Sequence, residues 1–205
     1  MIPIIKTELS FGMLLKRLIT KRIIVHHSAS HDVPAAIIHD WHLQRSWNGI
    51  GYHFVIRQNG DIEEGRPLDA VGAHAGSFAN ADSIGICLTG NFMQSKPSEE
   101  QLASLADLVK YLRELYHSEL KILRHKDVTH TLCPGDFFPW PESEWLSSEE
   151  LGGEGNTGES WKSKLIAEAL RKGLISERHN PDETASKWFV LAVGLNILKG
   201  VKGKN

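Results

Sequence analysis

Cysteine is scarce in this chain. Among 205 residues only Cys87 and Cys133 occur, too few for a disulfide scaffold. Free thiols in a reducing compartment are therefore expected. Long apolar runs are missing as well, so no segment is expected to span a bilayer. The N-terminal stretch from Met1 to Glu8 lacks a basic region followed by an apolar core. That predicts synthesis in the cytoplasm without a signal peptide. No tandem repeat occurs. Nor does one sign of charge dominate: a net charge of −2 gives no footprint for nucleic acid or an anionic membrane. With 41% hydrophobic and 23% charged residues, the composition is that of an ordinary globular chain.

What the chain has in excess is histidine. There are eleven, and most gather between Val25 and His130. Two stretches stand out: Ile23-Ile24-Val25-His26-His27-Ser28, and a later segment from His125 to Gly135 that contains Cys133. Together they offer imidazoles and a thiolate, the ligand types zinc prefers. Three protein ligands leave a fourth tetrahedral position open, which separates a catalytic site from a closed structural one.

The β-branched run Ile23-Ile24-Val25 predicts a buried strand over Lys21 to Ser28. Pro34 opens a predicted helix reaching Ser46. Tyr52 to Ile56 reads as a second strand, and the Asn59-Gly60 turn pairs it with Ile62 to Glu64. Ser83 to Leu88 is another strand. Ser98 is the expected N-cap of a helix carrying Leu102, Leu105, Val109, Leu112 and Tyr116 at helical spacing. Lys121 to Arg124 reads as a final strand. Alternating strands and helices predict an α/β fold, with a mixed central β-sheet flanked by helices.

Composition changes after Trp145. We expect a domain over 1–146, a Gly, Ser and Glu-rich linker over 147–159, and a small C-terminal helical appendage over 160–205. Some 45 residues make only a marginal core alone.

His26 and His27 are adjacent on a strand, so their side chains point to opposite faces, and only one is expected to serve as a ligand. Periodicity does not choose between them. Either reads equally as a partly buried histidine with one hydrogen bond. Cys133 reads alternatively as a small buried hydrophobe, and His125 as a solvent-facing loop residue.

On these residues the chain resembles the zinc-dependent N-acetylmuramoyl-L-alanine amidases, the type 2 amidase family. That family includes small phage lysozyme-type amidases and animal peptidoglycan recognition proteins. The matching blocks are Ile24 to Ala29, Gly51 to Phe54, Asn59 to Ile62, Gly65-Arg66, Val71 to Gly76, Ser83 to Phe92, Arg124 to Val128 and Thr131 to Gly135. They occur in the family's order and cover roughly residues 20 to 140.

The resemblance implies that His26, His125 and Cys133 bind Zn2+, with His27 facing the other side. It implies that Tyr52 lies beside the metal and that Thr131 assists, following the pattern of the catalytic recognition proteins rather than the lysine of the phage enzymes. It places His74 and Asn80 on a groove wall, as contacts to the sugar or the stem peptide. Asp127 is expected either to hydrogen-bond His125 or to cap a helix. Cys87 occupies a strand position where some cytoplasmic members place a catalytic glutamate, and a buried thiol does not replace it.

The implied substrate is peptidoglycan, cut between N-acetylmuramic acid and L-alanine of the stem peptide. The expected setting is a phage or prophage endolysin acting on the bacterial cell wall. The alternatives are a host cell-wall remodelling amidase and a non-catalytic peptidoglycan-binding protein. No nucleic-acid partner and no membrane insertion are expected; oligomeric state is not legible. The C-terminal segment weakly resembles S-layer homology repeats, at Trp161, Ala167 to Ala169, Lys172 to Ile175 and Asn180 to Ser186. It reads as a wall-targeting module or as a structural or dimerising helix pair.

Overall fold

The computed structural model describes residues 2–140, together with Leu146, Ala169 and Ile175. The predicted linker and, apart from Ala169, the two predicted C-terminal helices lie outside the described residues. The chain divides into two compact units, Met1–Glu154 and Gly155–Asn205.

The elements are β1 (Ile4–Ile5), β2 (Arg22–His27), α1 (Ala35–Gln44), β3 (Phe54–Ile56), β4 (Ile62–Glu64), α2 (Gly76–Asn80), β5 (Ser83–Leu88), α3 (Glu99–Tyr116) and β6 (Lys121–Arg124). A 3-10 turn, His125–Asp127, follows β6 directly. Six strands form one sheet in the order β1-β4-β3-β5-β2-β6. Only β3 and β4 pair antiparallel; the other neighbours run parallel.

Alternation along the central strands sends side chains to two different layers. Ile23 and Val25 of β2, Ile84, Ile86 and Leu88 of β5, and Phe54 and Ile56 of β3 share one core with Leu105, Leu108, Val109 and Leu112 of α3. Ile24, Val55 and Cys87 face the opposite layer, against α1, α2 and their loops. His26 pairs with Cys87 in the β2/β5 register, and His27 with Leu88. His26 therefore belongs to the α1/α2 side, and His27 to the α3 side.

Helix ends follow local chemistry. Ser98 and Gln101 form a reciprocal capping box at the start of α3, and His117 closes it in a left-handed conformation. The Gln101 side chain also donates to the carbonyls of Ile56 and Thr89, tying α3 to the ends of β3 and β5. At α1 the first amide, Ala35 N, donates to the Glu63 carboxylate of β4. A carboxylate there complements the helix dipole.

Two elements were not expected from the sequence, β1 and α2. They hold two and five residues, too few to show a periodicity. β3 begins at Phe54, two residues later than the sequence predicts. Among the described residues no helix is long and apolar enough to cross a membrane.

Candidate metal centre and groove

β2 ends on His26 and His27, and the structure separates them cleanly. His27 Nδ1 accepts the amide of Phe92 at 3.1 Å on the α3 side. His26 is fully buried on the other side. β6 runs parallel to β2 and delivers His125 immediately after its last residue. The loop then returns: Lys126 N donates to Cys133 O at 2.9 Å, so Cys133 comes back alongside His125. Gly135 makes this path possible. Its φ is 110°, and a Cβ there would lie 2.4 Å from the Phe92 backbone.

The result is a cluster of His26, His125 and Cys133 whose ligand atoms all lie within 4.8 Å of one another. His26 Nδ1 is 3.8 Å from Cys133 Sγ. Zn–N and Zn–S bonds of about 2.0 and 2.3 Å at a tetrahedral angle give an N···S edge of about 3.5 Å. Two imidazoles and a thiolate at this spacing fit a zinc ion. Burial, and then neighbouring His74, His125 and His27, hold His26 well below the usual imidazole range. Burial also lowers His125. Both are therefore in the neutral, ligating form. Burial pushes the Cys133 thiol up to about 11, against the His27 amide and Lys126, which pull it down. A divalent cation among the three is what would make the thiolate its stable form.

Behind His26 lies His74. Its Nδ1 is 3.0 Å from His26 Nε2, and its Nε2 is 3.4 Å from Ser83 Oγ. Ser83 Oγ in turn donates to Ala79 O. Gly72 and Gly85 make the room, since a Cβ on either would come within 2.6 Å of the His74 ring. Asn80 Oδ1 accepts the amides of His74 and Ala75 at 2.9 and 2.8 Å. The Tyr52 ring lies 5.0 Å from that of His26. Burial, followed by nearby Cys87 and Cys133, raises its phenol well above 10, so it stays protonated. Thr131 Oγ1 accepts the Cys133 amide at 3.2 Å.

In front of the cluster opens a groove of ≈ 370 Å³ whose walls include His74, Asn80, His125, Thr131 and Trp47. The profile of the N-acetylmuramoyl-L-alanine amidase family matches residues 16–136, more than half of the chain. The chain belongs to this amidase family.

Similarity to known proteins extends beyond the profile. The amidase is 35% identical over 147 residues to an endolysin of Klebsiella phage KP32, covering 67% of this chain and 95% of that one. It is 30% identical over 145 residues to peptidoglycan-recognition protein LB of Drosophila melanogaster, covering 62% of each. Among solved structures, the N-acetylmuramoyl-L-alanine amidase LysC from Clostridium intestinale superposes with a TM-score of 0.68 at 35% identity. That match covers 75% of this chain and 100% of LysC. The amidase is thus endolysin-like in sequence and in fold.

All seven residues singled out in the sequence fall in one neighbourhood. His26, His125 and Cys133 form the cluster, Tyr52 stands beside it, and His74, Asn80 and Thr131 line the groove. Asp127 does not reach His125 by any described hydrogen bond. Its carboxylate binds Arg124 through the backbone amide and the guanidinium, so it caps the 3-10 turn. Cys87 is buried and its thiol is pushed well up by burial, so it has no capacity as a base at neutral pH.

Sequence reasoning missed Trp47 on the groove wall and the use made of the other histidines. His27, His39, His42 and His53 each accept a backbone amide through Nδ1, from Phe92, Ile50, Gly51 and Gly85. These histidines hold the loops around the site in place. The aromatic at position 47 was the available signal, for tryptophan in a groove often serves as a stacking surface.

Proposed function

We propose that this amidase is a zinc enzyme that cleaves the bond between the lactyl group of N-acetylmuramic acid and L-alanine of the stem peptide. The observation that carries this reading is the convergence of His26, His125 and Cys133 within 4.8 Å, beside an open groove that His125 lines. When bound, zinc supplies Lewis acidity toward water and toward the scissile carbonyl.

The chain's own residues do the rest. Tyr52 keeps its proton and donates a hydrogen bond to the oxyanion that develops on the carbonyl. Thr131 Oγ1 uses a lone pair on the Cys133 amide, which leaves its hydroxyl proton for the substrate. Asn80 spends its oxygen on two backbone amides, so its NH2 is the part offered to sugar or peptide. His74 borders the groove while holding His26 from behind. Trp47 offers an apolar face for the sugar.

The chemistry of the donor set favours an enzyme over a binding module: a half-buried cysteine beside two neutral histidines serves a metal, whereas binding a glycopeptide needs none of them. Similarity to phage endolysins favours a lytic role on the cell wall over remodelling by a host. Mass spectrometry of digested peptidoglycan tests the bond. New L-alanine amino termini are expected; new reducing sugar ends would overturn the proposal.

A further inference from the structure

The opposite end of β2 from His26 carries an apolar surface that the amidase chemistry does not use. Leu18 and Ile19, just ahead of β2, are 93% and 53% exposed, and Phe78 of α2 is 83% exposed. The Arg22 guanidinium lies 5.8 Å from the Phe78 ring, which joins the two groups along one edge. This display is rigid. Arg17 turns inward and is buried, donating to the carbonyls of Leu68, Ala70 and Ser83 and to Tyr116 Oη. Its backbone amide also binds Asp69 O. With Arg17 anchored in this way, Leu18 and Ile19 are held outward in solvent.

The same edge is basic. Lys16, Lys21 and Lys121 are exposed, and Lys121 N donates to Lys21 O at 3.2 Å, so those two lysines sit side by side. None of the three forms an ion pair among the described residues. Asp82 is occupied by Arg22 at 2.7 Å, leaving Asp69 and Glu119 as the exposed acids on neighbouring turns. The whole-chain charge of −2 conceals this local excess.

We propose that this edge docks on an anionic phospholipid bilayer, with Leu18, Ile19 and Phe78 entering the interface and Lys16, Lys21 and Lys121 meeting lipid phosphates. Two considerations select lipid over a protein partner. Lysine is depleted from protein interface cores, whereas it suits a headgroup layer, with its stem on apolar surface and its ammonium in the polar zone. A few side chains also fall well short of the roughly 1,000 Å² that a stable protein interface buries, while bilayer contact has no such threshold. β2 rises about 3.3 Å per residue, so His26 lies at the far end of the strand from Arg22. A molecule seated this way keeps its catalytic cluster at the end remote from the lipid. The proposal does not depend on zinc chemistry.

The test is co-sedimentation of the full chain with vesicles of phosphatidylglycerol and phosphatidylcholine, against vesicles of phosphatidylcholine alone. Binding is expected only with the anionic vesicles and is expected to weaken with salt. Leu18→Ser combined with Ile19→Ser should lower the vesicle partition coefficient about tenfold or more, the change given by losing roughly one side chain's apolar burial. Phe78→Ser should act in the same direction, and Lys21→Gln with Lys121→Gln should flatten the salt dependence. Turnover of soluble muropeptides should be unchanged in all of them. Absence of wild-type binding, or equal binding by both apolar variants, would overturn the proposal. So would a lipid-free dimer in sedimentation velocity that Leu18→Ser/Ile19→Ser abolishes, which would assign the edge to a second copy of the chain.

Discussion

His26 Nε2 and His74 Nδ1 lie 3.0 Å apart inside the protein, and this contact fixes which nitrogen of His26 is free. Nδ1 faces Cys133 Sγ. If Nδ1 is the ligand, Nε2 carries the proton and donates it to His74. His74 then carries its own proton on Nε2, toward Ser83 Oγ, and the Ser83 hydroxyl donates to Ala79 O. Each link has a donor and an acceptor in the right place, and the chain ends on a backbone carbonyl.

His74→Phe should therefore weaken zinc binding about 10- to 100-fold, the usual cost of losing a partner behind a metal ligand. His74→Gln keeps an acceptor and a donor and should recover part of the loss. Competition with a chromophoric chelator measures this directly. Unchanged zinc affinity in His74→Phe with a raised KM would instead make His74 a substrate contact alone.

Removing the metal should abolish peptidoglycan hydrolysis, and adding zinc back should restore it. Cys133→Ala should lose metal and activity together, because two imidazoles alone leave the site a ligand short. Metal analysis of the purified variant beside a turbidity assay checks both. Lysis retained by a metal-free Cys133→Ala protein would contradict the assignment.

Tyr52→Phe removes a hydroxyl without removing the ring beside His26. Zinc content should stay as in the wild type, and kcat should fall about 10²-fold, the scale for losing one oxyanion donor. KM should change little. Steady-state kinetics on a defined muropeptide separates this from a packing role, which would alter the melting temperature instead.

Acid should destabilise the metal-free protein through its buried histidines. His53 is held at about 3 by burial, and then by the Arg17 charge, against an ordinary value of 6.5. Above pH 6.5 the group is neutral in both states and contributes nothing. As pH falls below 6.5 the unfolded chain takes up the proton and the folded chain does not, so stability declines until about pH 3, where the folded state also protonates. At pH 5 this one residue should cost about 2 kcal/mol. His27 and His42, each lowered to about 4 mainly by burial, act in the same direction. Urea denaturation from pH 7 to pH 4 with chelator present should show the decline, and His53→Gln should reduce it.

The strands of the core were legible because each is a short β-branched run bounded by turn residues, and α3 because its capping signal and apolar stripe agree. The cluster was legible through block order more than through spacing, since His26 and Cys133 are 107 positions apart. What stayed hidden depended on residues lacking side chains and on distant partners. Nothing in Gly72 or Gly85 announces that a histidine ring fills the space they leave. Nothing near His27 or His53 in the sequence names Phe92 or Gly85 as the amide it will accept. β1 is a pair of residues whose pairing with β4 is purely tertiary.

Phe92 is nowhere a ligand, yet its backbone is held at both its amide and its carbonyl. Its amide is held by His27, its carbonyl accepts the amide of Phe137, and Gly135 packs flat against it. The strand that carries one metal ligand and the loop that carries the other two are thus registered against the same few backbone atoms. Grafting the His125-to-Cys133 loop onto a different protein would carry the donor atoms but lose their gauge. A transplant that keeps the ligand spacing would have to bring the Phe92 segment with it.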